Sequence, residues 1–447
     1  MSEQFAAACL VCGKTLAAQG NESEAVKLLT KLTKFTKAAE HVRLGAMLQL
    51  VKLQGAAGRE TLATALRSDD LDTFNMALRT ARLLPQNTAL PTVVEVTRDA
   101  PPARTALLIT LLGDLNDPDG LATVMKAVRS NHSAVQIAGL QALAKLGTAD
   151  HVAMLVDTAT DGPTDVAEQA HDTLAQLSGP KVDQAVLEMM DDLAHRKTVI
   201  RAIGRRRITE AVPELITLIN GPHQLEVIGA LGETLPLDEL NVLVKMVNVK
   251  SPELRGAVEQ AIHAACDRMP NRDATGVELA RHLNADTAVF VMNELRLLGG
   301  DKSLEIVCRA AEGDGPVLKD YASRALGEWL DITAAPALLK MAKDEGDGKY
   351  GIRAIKGYIR IARQFSLPDQ ERMSMCKTAL GVATRATEQR LVLKVLERYS
   401  SITALQIAVD ASKKPALRKF AKQSAQTIAA KVGDSQEVRK LLSQIGS

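Results

Sequence analysis

The chain has 447 residues, with 55 Lys and Arg against 53 Asp and Glu, and is 46% apolar but only 2% aromatic. That length supports a large core, while no run approaches the ~18–20 consecutive apolar residues of a membrane-spanning helix. Five cysteines, an odd and sparse set, exclude a disulfide framework.

Taken in chain order, residues 5–36 read as a helical hairpin. FAAACLVCGKTLAAQ and ESEAVKLLTKLTKF flank a turn at Gly20-Asn21-Glu22. Cys9 and Cys12 form a C-x-x-C, but no second ligand pair follows and both fall inside an apolar helix. They are expected as buried small hydrophobes, as are Cys266, Cys308 and Cys376. The start lacks the basic and uninterrupted apolar stretches of a signal peptide.

From there one window recurs: 111–125 (LLGDLNDPDGLATVM), 142–156 (ALAKLGTADHVAMLV), 202–216 (AIGRRRITEAVPELI), 230–244 (ALGETLPLDELNVLV), 294–308 (ELRLLGGDKSLEIVC) and 325–339 (ALGEWLDITAAPALL). Each closes one apolar helix, breaks at a polar turn and opens a second. With weaker copies between, the second position gives a ruler: Leu112, Leu143, Leu174, Ile203, Leu231, Ile262, Leu295, Leu326, Ile359 and Leu396, with earlier marks near Leu50 and Ala81. A phase of about 30 residues held over most of a chain marks a repeat architecture in which each helix pair buries its apolar face on its neighbours. No alternating strand pattern appears, so almost no sheet is expected.

Within a unit, HSAVQIAGLQALAKLG (132–147) places Val135, Ile137, Leu140, Leu143 and Leu146 on one helical stripe. Gly147 is expected to end that helix at a position tolerant of positive φ, and Asp150 to cap the next. Pro91, Pro213 and Pro336 fall in one register, just inside second helices, where a missing N–H costs nothing. Ala138, Gly139, Ala142, Ala322, Ala325 and Gly327 are small enough for close helix approach. Trp329 sits beside a ruler position and is expected in the core.

Two basic clusters are candidate binding residues. Arg201, Arg205, Arg206 and Arg207 span a helix end and its turn. Bridging to carboxylates such as Glu210 and Glu214 is the competing structural role. Near the C-terminus, Lys414, Arg418 and Lys422 share one helical face by i, i+4 spacing, with Lys413 and Lys419 beside them. Residues 349–440 hold 19 Lys/Arg against 7 Asp/Glu, so the near-neutral total hides a basic C-terminal third. Arg104, Gln136, Arg255, Lys319, Arg353, Arg390 and Arg418 recur near the starts of first helices, a ladder expected to tie each unit to its neighbour.

Catalytic signatures are missing. The eight histidines show no H-E-x-x-H or other paired metal spacing, and there is no G-x-S-x-G, P-loop or G-x-G-x-x-G. No cofactor or metal is expected. The scarcity of aromatics argues against nucleic acid, whose bases need stacking platforms.

The pattern A-L-x-x-(L/R)-(G/D)-x-x-x-(A/V)-V-P-x-L resembles the HEAT repeat, proline and turn included. Residues 349–384 with 387–398 are similar to the terminal repeats of planctomycete-type bacterial HEAT-repeat proteins, and the first hairpin resembles a tetratricopeptide unit. The resemblance implies an all-α, armadillo-like α-solenoid (a superhelix) of about twelve or thirteen antiparallel helix pairs. Residues 1–37 would be its cap and 38–447 the continuous array. It also implies an extracytoplasmic, periplasmic home and a longer parent carrying a sugar-hydrolase-like or cytochrome-like domain. Against the cytochrome, Cys12 is followed by Gly13, so no C-x-x-C-H occurs, and a true start at Met1 without a signal peptide implies the cytoplasm.

The expected function is a non-catalytic scaffold whose second helices (150–159, 212–220, 335–343 and equivalents) line a concave face for a protein partner. The alternatives are a HEAT-like enzyme of the lyase or base-excision kind, and polyanion binding by the basic C-terminal third. The ruler makes one direct prediction. Leu143→Asp puts an unpaired charge in a packed interface and costs several kcal/mol; an unchanged thermal midpoint would show the register to be wrong.

Overall fold

In a computed structural model describing residues 3–313 and 315–445, all regular secondary structure is helical, with no strand among the described residues. It divides into two compact units, Met1–Ala211 and Val212–Ser447. In the first, α1 (Glu3–Ala18) pairs with α2 (Glu22–Thr33), α3 (Glu40–Leu53) with α4 (Ala56–Leu66), and α5 (Leu71–Leu83) with α6 (Gln86–Thr97). Then come α7 (Pro102–Leu115) with α8 (Leu121–Val128), α9 (Ser133–Leu146) with α10 (Val152–Asp161), α11 (Thr164–Gln176) with α12 (Val182–Leu187), and α13 (Arg196–Arg206). The second unit opens with α14 (Val212–Leu218). It continues as α15 (Gln224–Thr234) with α16 (Asn241–Val244), α17 (Pro252–Arg268) with α18 (Arg272–Ala280), and α19 (Ala288–Leu298) with α20 (Gly300–Glu312). The last pairs are α21 (Pro316–Gly327) with α22 (Ala335–Glu345), α23 (Lys349–Gln364) with α24 (Asp369–Val382), α25 (Ala386–Leu396) with α26 (Ile402–Ala411), and α27 (Arg418–Val432) with α28 (Gln436–Ser443).

Among the described residues this makes twenty-eight α-helices, more than twelve or thirteen pairs require. Within each unit, first helices pack on successive first helices, as in α7–α9–α11 and α21–α23–α25, and on the second helix of the preceding pair, as in α8 on α9, α10 on α11 and α22 on α23. This is a HEAT-like α-solenoid. Every ruler residue from Leu50 to Leu396 lies in the core, none more than 4% exposed. The first hairpin is continuous with the array: Ala6, Leu29 and Leu32 share a core with Val42, Ala46 and Leu50 of α3.

Three local expectations are corrected. Gly147 caps α9 with φ −76°, not positive φ; its need for glycine is space, because a Cβ would stand 2.6 Å from the Leu143 carbonyl oxygen and 2.7 Å from Leu177. Helix ends with positive φ fall instead at Asn116 and Arg207 and at the glycines Gly299, Gly346 and Gly433. The turn before α10 is capped by Thr148, whose N–H donates to His151 Nδ1 (3.1 Å), and Asp150 lies one residue into that turn. Pro336 and Pro213 are second residues of their helices, but Pro91 lies well inside α6, because the tight turn that precedes other second helices is α-helical there. Pro91 has no N–H to offer the Asn87 carbonyl, and Arg59 Nη2 donates to that oxygen instead (2.8 Å).

The cysteines also divide. Cys266 and Cys376 are buried, Cys9 and Cys308 are half-buried, and Cys12 is exposed. α1 packs on α2 and α3, and its Val11 and Cys12 face away from both. Trp329 is fully buried, as expected.

Consecutive first helices cross where a residue beside the ruler has no side chain. A Cβ on Gly113 would stand 2.9 Å from Ala142 Cα, one on Gly232 2.7 Å from Ala261 Cα, and one on Gly357 2.8 Å from Gly327 Cα. Backbone atoms cannot yield as a side-chain tip can. Two glycines of α15 therefore predict opposite results. Gly232→Val is expected to cost ~1–3 kcal/mol or more through overpacking. Gly229→Ala, with nothing within 4 Å of its Cβ, is expected to gain ~0.5–1 kcal/mol from helix propensity. Denaturant midpoints of the two variants check the crossing.

Candidate functional site

The conspicuous arginine cluster of α13 is neutralised by the preceding pair. Arg201 makes a two-pronged ion pair with Glu168 (2.9 and 3.1 Å), and Arg205 pairs with Asp172. Arg206, nearly buried, donates Nε to Asp183 (2.7 Å) and Nη1 to the carbonyls of Leu174 (2.6 Å) and Leu177 (2.7 Å). It thereby satisfies orphan carbonyls at the end of α11. Arg207 supplies the left-handed residue that ends α13. Between Glu168 and Asp172 lies buried His171; burial, reinforced by Arg201, lowers its pKa to about 4, so it is neutral at pH 7.

The second cluster is split. The Lys414–Pro415 bond disfavours helix at Lys414, and α27 begins only at Arg418, so Lys414 does not share a helical face with Arg418 and Lys422. Lys414 Nζ donates to the Leu380 carbonyl of α24 (2.9 Å). In the expected ladder, Arg104, Lys319, Arg353 and Arg390 do reach neighbouring pairs: Asp69 and the Phe74 ring, the Tyr350 ring, Asp320, and the Phe420 ring respectively. Arg255 turns back to the Val249 carbonyl of its own inter-repeat turn (2.9 Å).

The feature that sequence reading missed is a groove of about 440 Å³ on the first helices α21, α23 and α25 of the second unit. Arg324, Arg353, Lys356, Arg360, Arg363, Lys394 and Arg398 line it, against one lining carboxylate, Glu328. Its floor includes Gly327 and Gly357, the pair at the helix crossing, and its wall includes the partly exposed Leu391. The signal was visible as IRAIKGYIRIAR (352–363). At 100° per residue, Arg353, Lys356, Arg360 and Arg363 fall within an arc of about 80° on α23.

Carboxylates reach some of these cations. Asp320 meets Lys349 and Arg324 (3.0 Å each) and Arg353 (3.3 Å), and the Lys349 hydrogen bond is the largest influence holding its pKa down to about 2. Buried Glu388 lies 3.6 Å from Lys356 and 3.5 Å from Arg385, and Glu397 pairs with Lys394 (2.9 Å). Arg360 has no carboxylate partner among the described residues. Its Nε donates to the Gly327 carbonyl (2.9 Å), Nη2 to the Trp329 carbonyl and Nη1 to Gln364 (3.2 Å). Burial lowers its pKa, with Glu328 opposing and the cations Arg296 and Arg363 adding to the effect. Arg363 and Arg398 are exposed and make no ion pair among the described residues.

Two other grooves carry carboxylates among their cations. A groove of about 490 Å³ on α3 and α5 mixes Arg43, Arg79 and Arg82 with Glu40 and Asp72; Arg79 pairs with Glu40, and Arg82 with Asp114 (2.9 Å). On the second helices α20 and α22, a groove of about 270 Å³ pairs Lys340 with Glu312 (2.5 Å) and Lys319 with Glu345 (2.6 Å). His263, Cys266 and Glu294 gather in a cleft of about 30 Å³, roughly the volume of one water. There burial raises the Glu294 pKa against the opposing His263 contact (3.1 Å) and pushes the Cys266 thiol up to about 12, which keeps it from acting as a thiolate nucleophile. Among the described residues no cluster of metal-ligating side chains occurs, and no helix is long and apolar enough to cross a membrane.

Residues 90–175 match the family model for HEAT repeats. A comparison with curated proteins finds no match. Among solved structures, the chain is similar to the karyopherin Kap121p bound to RanGTP, at 13% identity and a TM-score of 0.39, over 94% of this chain and 54% of that one. It is also similar to human deoxyhypusine hydroxylase (18% identity, TM-score 0.24, 56% of this chain and 99% of that) and to the CpcE–CpcF complex of phycocyanin lyase from Nostoc sp. (16% identity, TM-score 0.26, 59% and 94%). The chain spans about half the length of the Kap121p chain it matches. The fold is that of a HEAT-repeat α-solenoid.

The Asp320 contacts predict an acid-sensitive link between α21 and α23. Its folded pKa of about 2 lies below the ordinary carboxylate value, so the link contributes fully above about pH 4 and fades as pH falls from 4 toward 2. Asp320→Asn should lower stability at neutral pH and flatten the stability profile in that window. Denaturant midpoints at pH 7, 4 and 2.5 check the sign.

Proposed function

We propose that this protein is a non-catalytic binding module that receives an acidic segment of a protein partner on the first-helix face of α21, α23 and α25. The observation that carries the reading is the groove in which Arg360, Arg363 and Arg398 have no carboxylate partner among the described residues, whereas the grooves on α3–α5 and α20–α22 place carboxylates among their cations. This moves docking from the second helices, where sequence reasoning put it, to the first. It joins the scaffold and anion-binding readings into one.

None of the residues lining the groove is aromatic, which favours a peptide over a nucleic acid that would stack its bases. Leu391 offers an apolar contact beside the charges. Exposed ion pairs contribute only about 0.2–1 kcal/mol each, so three of them give weak, salt-dependent binding. Preorganisation adds to this: Arg360 is already held by two carbonyls and is ordered before the partner arrives.

The test uses two fluorescein-labelled peptide pools with randomised flanks, one with Glu fixed at two alternate positions and one with Gln there. The Glu pool should bind about ten-fold tighter or better, and Arg363→Glu with Arg398→Glu should bring it down to the Gln pool. Equal binding of the two pools, or a double variant that binds the Glu pool unchanged, would overturn the reading.

A further inference from the structure

We propose that the segment received by this groove carries a phosphate group, clasped by Arg363 and Arg398 above the fixed guanidinium of Arg360. The inference rests on the acidic-segment reading and sharpens its chemistry. Two observations carry it.

The first is charge density. Seven cations line the groove, and only Glu328, Asp320, Glu388 and Glu397 stand against them, an excess of three positive charges in about 440 Å³. That volume holds roughly fifteen waters at ~30 Å³ each. An extended acidic segment presents same-face carboxylates only every ~6.6 Å, one charge at a time. A phosphate monoester brings about −1.5 to −2 at one point, with three acceptor oxygens.

The second is the kind of cation. Five of the seven are arginines, whose planar forks fit pairs of phosphate oxygens, where ammonium groups act as point charges. Three of the five N–H donors of Arg360 are held by Gly327, Trp329 and Gln364, which fix its guanidinium in place. It fixes positive potential at the base of the groove. The exposed Arg363, three residues along the same face of α23, and Arg398, just after α25, stand on the rim as movable arms.

The experiment measures fluorescence anisotropy at about 150 mM salt. Eleven-residue pools with randomised flanks carry a central phosphoserine, Glu or Ser. The phosphoserine pool should bind roughly ten-fold tighter than the Glu pool. Arg363→Lys with Arg398→Lys, which keeps charge but removes the forks, should erase most of that preference while sparing the Glu pool. Arg363→Glu with Arg398→Glu should abolish both, and the exposed control Arg309→Glu on α20 should change neither. Equal binding of the phosphoserine and Glu pools would overturn the phosphate and leave the acidic segment standing. Pools that all bind no better than Ser would overturn both. Inorganic phosphate displacing the peptide at the peptide's own concentration would assign the site to a free anion and overturn the segment.

Discussion

The close crossing of consecutive first helices is the constraint on which the rest depends. At Gly113–Ala142, Gly232–Ala261 and Gly327–Gly357 the helix backbones come so near that a β-carbon would strike a Cα. Small residues at these points let the ruler leucines and isoleucines on either side bury completely. In the second unit the same geometry does more. The missing side chains at Gly327 and Gly357 leave the floor of a groove, and the approach of α23 to α21 carries Arg360 to the carbonyls of Gly327 and Trp329. A packing device thus sets up an electrostatic one.

Arginines that reach the carbonyl end of the preceding first helix recur. Arg206 does so at α11, Arg268 at α15 and Arg360 at α21, and Lys431 plays the part at α25 by bonding the Glu397 carbonyl (2.6 Å). Each satisfies oxygens that helix geometry leaves unpaired and places a cation at the negative end of a helix dipole. Around Arg206, carboxylates of the preceding pair neutralise its neighbours. Around Arg360 there are too few. The difference between a structural arginine and a binding one lies in its company.

That also explains what the sequence could and could not tell. Repeat phase, helix order and core were legible because stacking imposes a local, periodic demand that every unit meets: Leu112, Leu143 and Leu231 answer the same need. Helix caps were less legible, since Gly147 and Asp150 follow general preferences that the backbone does not use at those two positions. The site was hardest. Arg201 to Arg207 drew attention because they are close in sequence, yet their carboxylates lie 23 to 33 residues upstream, where only folding brings them near. The groove has the opposite character. Its cations are spread over three helices, and only the four on α23 share a readable spacing.

The most direct test of the account follows each arginine separately. In an Nε–Hε NMR titration of the whole protein with a phosphoserine peptide pool, Arg363 and Arg398 should shift together and saturably. Arg360, already bonded through its Nε to Gly327, should shift less, and Arg201, Arg205 and Arg206 should stay in place with their carboxylates. Shifts centred on the α13 arginines, or spread evenly over all exposed arginines, would contradict a built site on α21, α23 and α25.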